Sequence, residues 1–285
     1  AKSCDDGDSC TTDSCNTASG CVNTETCTVV TCGVGQSCSC PKDGNCEFVC
    51  DSEGDCKDID CKDANYCNVT CTGKDSCSGK IECGVDCDVS CTGDGSCGDK
   101  IECGSGTCTI GCDGDACQKK VECDKAENCT ISCLNGACKD DLKCEKAGKC
   151  TILCDNKSCL KDVICHDGEC DVTCSNESCG DEVKCGKGDC DITCKTGSCA
   201  NKIDCTQGDC TVDCSGNSCG AKIECGTGIC LATCTDNSCD GQVDCHNACS
   251  CQTSCDATSC GSLKCPQNCE SAGECTSAGA CNTCN

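Results

Sequence analysis

Apolar and polar positions alternate along most of the chain, in short stretches separated by turns rich in Gly, Asn and Asp. The segment Cys83 to Cys103, CGVDCDVSCTGDGSCGDKIEC, shows the unit: a Cys-x-Val/Ile-x-Cys stretch, a turn, a Ser-Cys pair and a Lys-Ile-Glu-Cys stretch. Successive side chains of a β-strand point to opposite faces, so this alternation predicts two short strands in each unit. The period of an amphipathic helix is nowhere visible.

The unit recurs at a fixed interval. The second cysteines of the Cys-x-Val/Ile-x-Cys stretches follow one another at steps of 20 or 21 residues. They are Cys50, Cys71, Cys91, Cys112, Cys133, Cys154, Cys174, Cys194, Cys214, Cys234 and Cys255. A fixed period of this length is typical of solenoids, in which each repeat is one coil. The sequence therefore predicts an all-β, disulfide-stapled β-solenoid (β-helix) of about eleven coils with irregular, Cys-rich ends.

The same pattern divides the chain into four parts. Residues 1–27 form a Cys-rich N-terminal module, and residues 28–49 a transitional segment or cap. Residues 50–265 form the repeat domain, and residues 266–285 a Cys-rich C-terminal cap or docking tail. Phe48 stands where later copies carry Val or Ile, and we expect it to cover one end of the stack.

The alternation also predicts which side chains of a coil point inward. In the unit shown above, the inward residues are Val89, Ile101 and the four disulfide cysteines Cys87, Cys91, Cys97 and Cys103, and the outward residues are Asp88, Ser90, Lys100 and Glu102. Cys87 and Cys91 cannot pair with each other, because four extended residues separate their Cα atoms by about 13 Å. Two pairings within the coil remain, and pairings between coils stay open.

Composition explains how so thin a coil can be stable. The chain has 57 Cys among 285 residues, and its only aromatic residues are Phe48 and Tyr66. Disulfides must replace the burial of large side chains, which predicts a secreted or extracellular protein of a cell surface or matrix. A metal-thiolate protein is the alternative, but Cys-x-Cys or Cys-x-x-Cys spacing occurs only at Cys38–Cys40, Cys249–Cys251 and Cys281–Cys284. We predict no metal or cofactor, and the odd number of cysteines leaves at least one unpaired or bonded to another chain.

The net charge of −26 and the absence of Arg disfavour nucleic acid as a partner. The chain has no apolar run long enough to insert into a membrane.

The first 27 residues carry the pattern Cys-Asp-Asp-Gly-x-x-Cys-Thr-x-Asp-x-Cys with a following Gly-Cys. The matching positions are Cys4, Asp5, Asp6, Gly7, Cys10, Thr11, Asp13, Cys15, Gly20 and Cys21. This pattern resembles the CTDC-type cysteine repeat of slime-mould stalk and sheath proteins and of other secreted proteins. The resemblance implies an extracellular, often matrix-associated protein and implies no catalysis.

The outward positions form columns along the coils. On the second stretch of each unit, a column that includes Lys80, Lys100 and Lys120 runs beside a column that includes Glu82 and Glu102, which predicts a ribbon of ion pairs. We interpret this ribbon as a solvated face that prevents lateral aggregation, and pairing with another copy is the alternative. The first stretch carries Thr, Ser, Asn and Asp, and here the chain resembles the disulfide-stapled antifreeze β-solenoids of insects. Their regular Thr-x-Thr array is missing, because no unit between Cys67 and Cys234 has Thr in both columns.

No arrangement of residues indicates a nucleophile with its base or a phosphate-binding loop, and we predict no catalytic residues and no enzyme. Four sequons make Asn68, Asn128, Asn156 and Asn176 candidate glycosylation sites. The prediction is an extracellular structural protein: a subunit of a filament, sheath, coat or surface appendage. Its partner is expected to be a second copy, joined end to end and through an unpaired Cys. An ice-binding solenoid and a surface adhesin are the alternatives.

Overall fold

The computed structural model describes residue 4, residues 10–16 and residues 20–264, and all regular structure in them is β-strand. A hairpin of β1 (Thr11–Asn16) and β2 (Gly20–Glu25) precedes a solenoid that consists of two parallel 12-stranded sheets. Successive strands enter the two sheets alternately, so each coil contributes one strand to each sheet.

The first sheet contains the longer strands. They are β3 (Thr28–Val30), β5 (Asn45–Cys50), β7 (Tyr66–Cys71), β9 (Asp86–Cys91), β11 (Thr107–Asp113), β13 (Asn128–Leu134), β15 (Lys149–Asp155), β17 (Glu169–Ser175), β19 (Cys190–Lys195), β21 (Cys210–Ser215), β23 (Ile229–Cys234) and β25 (Ser250–Cys255).

The second sheet contains shorter strands. They are β4 (Cys38–Ser39), β6 (Ile59–Asp60), β8 (Ile81–Glu82), β10 (Ile101–Glu102), β12 (Val121–Glu122), β14 (Leu142–Cys144), β16 (Val163–Cys165), β18 (Val183–Cys185), β20 (Ile203–Cys205), β22 (Lys222–Cys225), β24 (Gln242–Asp244) and β26 (Ser262–Lys264).

The predicted all-β solenoid is confirmed, and the array begins one coil earlier than the sequence period indicated. Strand β3 pairs in register with β5, and β4 pairs with β6, so the segment 28–49 builds a coil. Phe48 is fully buried between Val30 and Val69 of the adjacent coils. The expectation that Phe48 covers the end of the stack is therefore wrong. At a strand spacing of about 4.8 Å, twelve coils extend for about 55 Å.

Most coils enclose two apolar side chains between two disulfides. In the coil that contains β9 and β10, Val89 and Ile101 are 3% and 1% exposed, and their outward neighbours are partly exposed. The parallel register places Val69, Val89 and Ile110 in one column and Ile81, Ile101 and Val121 in the other. The core is thus one file of mostly β-branched side chains from each sheet, with Phe48, Leu142 and Ala232 as exceptions.

The disulfides close the corners of the coil. Cys91 bonds to Cys97 within one coil, which is part of one of the two within-coil pairings that the sequence left open. The other two cysteines bond to neighbouring coils: Cys87 bonds back to Cys83, and Cys103 bonds forward to Cys108. Each bridge spans four to six residues and closes one of the turns between successive strands. The loops are short, so each bridge stabilises the fold by only about 2 kcal/mol in the chain-entropy account.

The Ser-Cys pair of the repeat has a structural role at one corner. The second cysteine of this corner, from Cys56 to Cys260, has a left-handed backbone in every coil, with φ between 49° and 67°. In most coils a buried Ser precedes it, and hydroxyls of these serines donate to main-chain carbonyls. Ser158, for example, donates to the carbonyl of Cys133 in the preceding coil at 2.7 Å, whereas the buried Ser96 hydroxyl has no hydrogen-bond partner. Because Ala116 and Ala137 occupy the same position, the corner requires a small side chain more than it requires a hydroxyl.

Candidate functional site

The outer face of the second sheet carries two networks of ion-paired side chains with two isolated pairs between them, and Ile164 interrupts one of the columns. We call this set the outer ion-pair ladder. It comprises Lys80, Glu82, Lys100, Glu102, Lys120, Glu122, Asp141, Lys143, Glu145, Asp162, Glu182, Lys184, Lys202, Asp204, Lys222, Glu224, Asp244 and Lys264. The side-chain columns predicted from the sequence are confirmed as neighbours along this face.

Most ladder lysines contact carboxylates of two coils. Lys202 Nζ lies 2.7 Å from Asp204 Oδ2 in its own coil and 2.7 Å from Glu224 Oε2 in the next. Burial alone would lower the pKa of Lys202, but its hydrogen bonds to Asp204 and Glu224 raise this pKa above the ordinary value of 10.5. The charges of the ladder are thereby satisfied within one chain. Partly exposed ion pairs of this kind contribute only about 0–1 kcal/mol each.

Asp244 is the most deeply placed acid of the ladder, because its side chain is only 5% exposed. Its carboxylate accepts from Lys222 Nζ at 3.0 Å and Lys264 Nζ at 3.2 Å, and Oδ1 lies 3.3 Å from His246 Nδ1. Burial alone would raise the pKa of Asp244, but the hydrogen bonds from Lys222, the His246 backbone N–H and Lys264 hold it well below its ordinary value. Sequence reasoning missed this cluster.

The outer face of the first sheet is polar and irregular. Thr109, Thr130 and Thr151 are aligned in register, but Asp88 precedes this run and Asp171 follows it. The neighbouring column holds Gly111 and Leu153 beside two of these threonines. The broken Thr pattern seen in the sequence is thus also broken on the surface.

An open groove on this face surrounds the chain's one tyrosine. The hydroxyl of Tyr66 donates to Asp88 Oδ2 at 2.6 Å, and Asn45, Asp86 and Thr107 line the groove beside it. The groove offers polar groups and one aromatic ring, but no paired acid and base.

The four candidate glycosylation sites lie in two kinds of position. Asn68 is half-buried on the outer face of β7, and Asn128 is exposed at the beginning of β13. Asn156 and Asn176 lie in turns with φ of 53° and 54°. Their side-chain amides donate to Asn135 Oδ1 at 2.8 Å and to Asp155 Oδ1 at 2.7 Å.

The cysteine sulfur atoms of adjacent coils form close groups along the axis. The sulfurs of Cys225, Cys230, Cys245 and Cys251 lie within 4.8 Å of one another. Cys225 bonds to Cys230, however, and Cys245 bonds to Cys251. Cysteine binds a metal ion as its thiolate, so these disulfide-bonded sulfurs give no donor set for an ion. The four predicted disulfide cysteines of the coil at Cys83–Cys103 are all bonded and buried.

Three comparisons with known proteins returned nothing: no family model, no curated protein and no solved structure matches this chain. The described residues also contain no helix long and apolar enough to cross a membrane. The disulfide content is typical of extracellular proteins.

Proposed function

We propose that this protein is an extracellular structural protein, a subunit of a filament, sheath, coat or surface appendage whose copies stack end to end. The observation that carries the proposal is the contrast between the sides and the ends of the solenoid. The sides carry charged and polar groups, and the ladder lysines are already paired with carboxylates of their own chain. With a net charge of −26, two copies repel each other when they approach side by side.

The ends differ from the sides. Within the described residues, β3 and β4 have one hydrogen-bonded neighbour each at the N-terminal end, as do β25 and β26 at the other. An edge strand with a free row of backbone groups can pair with another strand of the same geometry. Inward positions of the last coil are also less well packed: Leu263 is only partly buried, and the buried hydroxyl of Thr253 has no hydrogen-bond partner. These features support growth along the axis.

The absence of a matched acid and base among the described residues fits a structural role, and so does the repetition of one surface pattern over many coils. Ice binding remains the weaker candidate, because the outer Thr columns are interrupted by Asp and Leu. No specific observation favours an adhesin.

Electron microscopy with negative staining, together with sedimentation over a range of concentrations, tests the proposal. We expect fibres whose width matches one solenoid. Leu263→Asp places a charge at the inward position of the last described strand and should shorten or abolish the fibres. Ser262→Asp adds the same charge to the outward side of that strand and should preserve them. A strictly monomeric native protein at high concentration would refute the proposal.

A further inference from the structure

Among the described residues, cysteines without a single assigned partner occur only in the N-terminal hairpin and at Cys249 near the last coil. Every cysteine from Cys32 to Cys260 except Cys249 bonds to one partner, and Cys10 bonds to Cys27. The remaining cysteines form two sets. One set is Cys4, Cys15 and Cys21, which we call the hairpin triad. The other set is the exposed Cys249 with the five cysteines of residues 265–285, which lie outside the described part of the chain.

The geometry of the hairpin triad places Cys4 within bonding range of both Cys15 and Cys21. Cys15 and Cys21 face each other across the hairpin of β1 and β2. The Cα atom of Cys4 lies 6.1 Å from that of Cys15 and 5.1 Å from that of Cys21, both within the range of a disulfide. A sulfur atom can form only one disulfide bond, so two members of the triad bond and the third keeps a thiol.

The number of cysteines in the hairpin triad is odd, so they cannot all be paired among themselves. The hairpin triad is also accessible, since Cys15 and Cys21 are exposed while the cysteines at the centre of the solenoid are buried. An odd, exposed thiol beside a disulfide therefore lies at the N-terminal end.

We propose that the hairpin triad is the site of a covalent bond to the triad of a second copy, which joins two chains at their N-terminal ends. A bond between equivalent triads uses one cysteine from each chain and leaves two in each triad, so every sulfur of the two triads can be paired. Because the same residues of both chains form it, this junction has two-fold symmetry.

Thiol–disulfide exchange forms this bond, and a second balanced reaction closes the two thiols that remain. In thiol–disulfide exchange, the thiolate of one copy attacks the triad disulfide of a second copy, the interchain S–S bond forms, and a thiolate leaves on the second copy. The number of disulfides is unchanged, and no oxidant is needed. To consume the last two thiols, a small-molecule disulfide such as oxidised glutathione accepts the two electrons and leaves as two thiols.

The inference rests on the proposed self-assembling role and specifies one of its junctions. Filaments would then alternate N-terminal contacts, which are covalent, with C-terminal contacts, which are not. Both contacts are isologous, and their alternation still produces a linear assembly.

The test uses the full chain, treated with an alkylating agent before denaturation to stop exchange. A non-reducing gel should show a two-chain species that reductant converts to one chain. Cys4→Ser, Cys15→Ser and Cys21→Ser each leave a pair in the triad and should each abolish the two-chain species. Cys249→Ser is the matched control and should preserve it. In a mixture of ¹⁴N- and ¹⁵N-labelled chains that has been reduced and reoxidised, peptides of the triad should be linked light to heavy.

Several results would overturn the inference. The first is a native protein that contains single chains only. The second is a two-chain species that is lost in Cys249→Ser but kept in the triad variants. The third is the alkylation of all three triad thiols after treatment with a chelator. The last result would indicate a metal bound by the triad. Microscopy of the same material separates this inference from the proposed function. Fibres made of single chains refute the covalent junction alone, and covalent pairs without fibres refute the filament alone.

Discussion

Close approach of neighbouring coils at one turn gives a sharp test of the packing. Gly104 follows β10, and a Cβ atom built on it overlaps the carbonyl oxygen of Gly84 in the preceding coil. Restoring a normal van der Waals separation requires the backbone to move by about 2 Å. That displacement is nearly half of the ~4.8 Å spacing between strands. Gly104→Ala should therefore separate the two coils locally.

The structure also gives the size of the effect. Two hydrogen bonds between the coils lie beside Gly104: Ser105 N–H donates to the carbonyl of Gly84 at 3.1 Å, and Gly106 N–H donates to that of Val85 at 2.8 Å. Each bond contributes about 1 kcal/mol, and an unsatisfied buried group costs up to about 3 kcal/mol. We expect a local destabilisation of about 2–5 kcal/mol.

Hydrogen–deuterium exchange followed by mass spectrometry measures this quantity. Since 1.4 kcal/mol is a factor of ten, amides of residues 105–106 should exchange at least about 30-fold faster in Gly104→Ala. Gly111→Ala is the matched control on the next strand, because its Cβ would meet nothing closer than 4.0 Å and its φ is not in the left-handed region. Equal exchange in the two variants would refute the packing argument.

Three further predictions address the core, the ladder and its pH dependence. Ile101→Ala removes a buried side chain and should lower the free energy of unfolding by about 2–5 kcal/mol in denaturant titrations. Leu231 is 39% exposed, so Leu231→Ala should change this free energy little. Equal losses in the two variants would contradict the inward orientation of Ile101. Lys202→Met should cost about 1 kcal/mol or less at low salt, with a smaller effect at high salt, and a loss insensitive to salt would argue against an electrostatic role. Because the pKa of Asp244 is lowered in the folded protein, its contribution to stability is complete above the ordinary Asp pKa and disappears as pH falls through the folded pKa. The difference in unfolding free energy between the wild type and Asp244→Asn should therefore decrease below about pH 4, and a constant difference from pH 7 to pH 2 would contradict the assignment.

Much of the architecture follows from local pattern. The alternation around Val89 and Ile101 predicted their inward orientation, and the aligned Lys and Glu columns predicted the ion-pair ladder. Both features depend only on the two-residue period of a strand and on a repeat length that keeps the register. Phe48 shows the limit of this reasoning, because the irregular spacing of residues 28–49 concealed a further coil.

The pairing of cysteines required the tertiary structure. Sequence geometry excluded a bond between Cys87 and Cys91 but could not choose among the other partners, since a distance around a turn depends on how sharply the chain bends. The left-handed backbone at Cys97 and the close approach of Gly104 to Gly84 set that bend. Burial of Asp244 is likewise a result of three-dimensional packing, because its partners Lys222 and Lys264 come from the coils on either side.

The sequence by itself determined the β-solenoid, the inward and outward faces of its coils and the need for disulfides in place of a large core. These properties follow from the period, the alternation and the composition. Only the tertiary structure decided which cysteines bond, where the array begins and which sulfur atoms remain at the ends. Those outcomes depend on distances between residues of different strands, which the bends of the corners and the stacking of the coils determine.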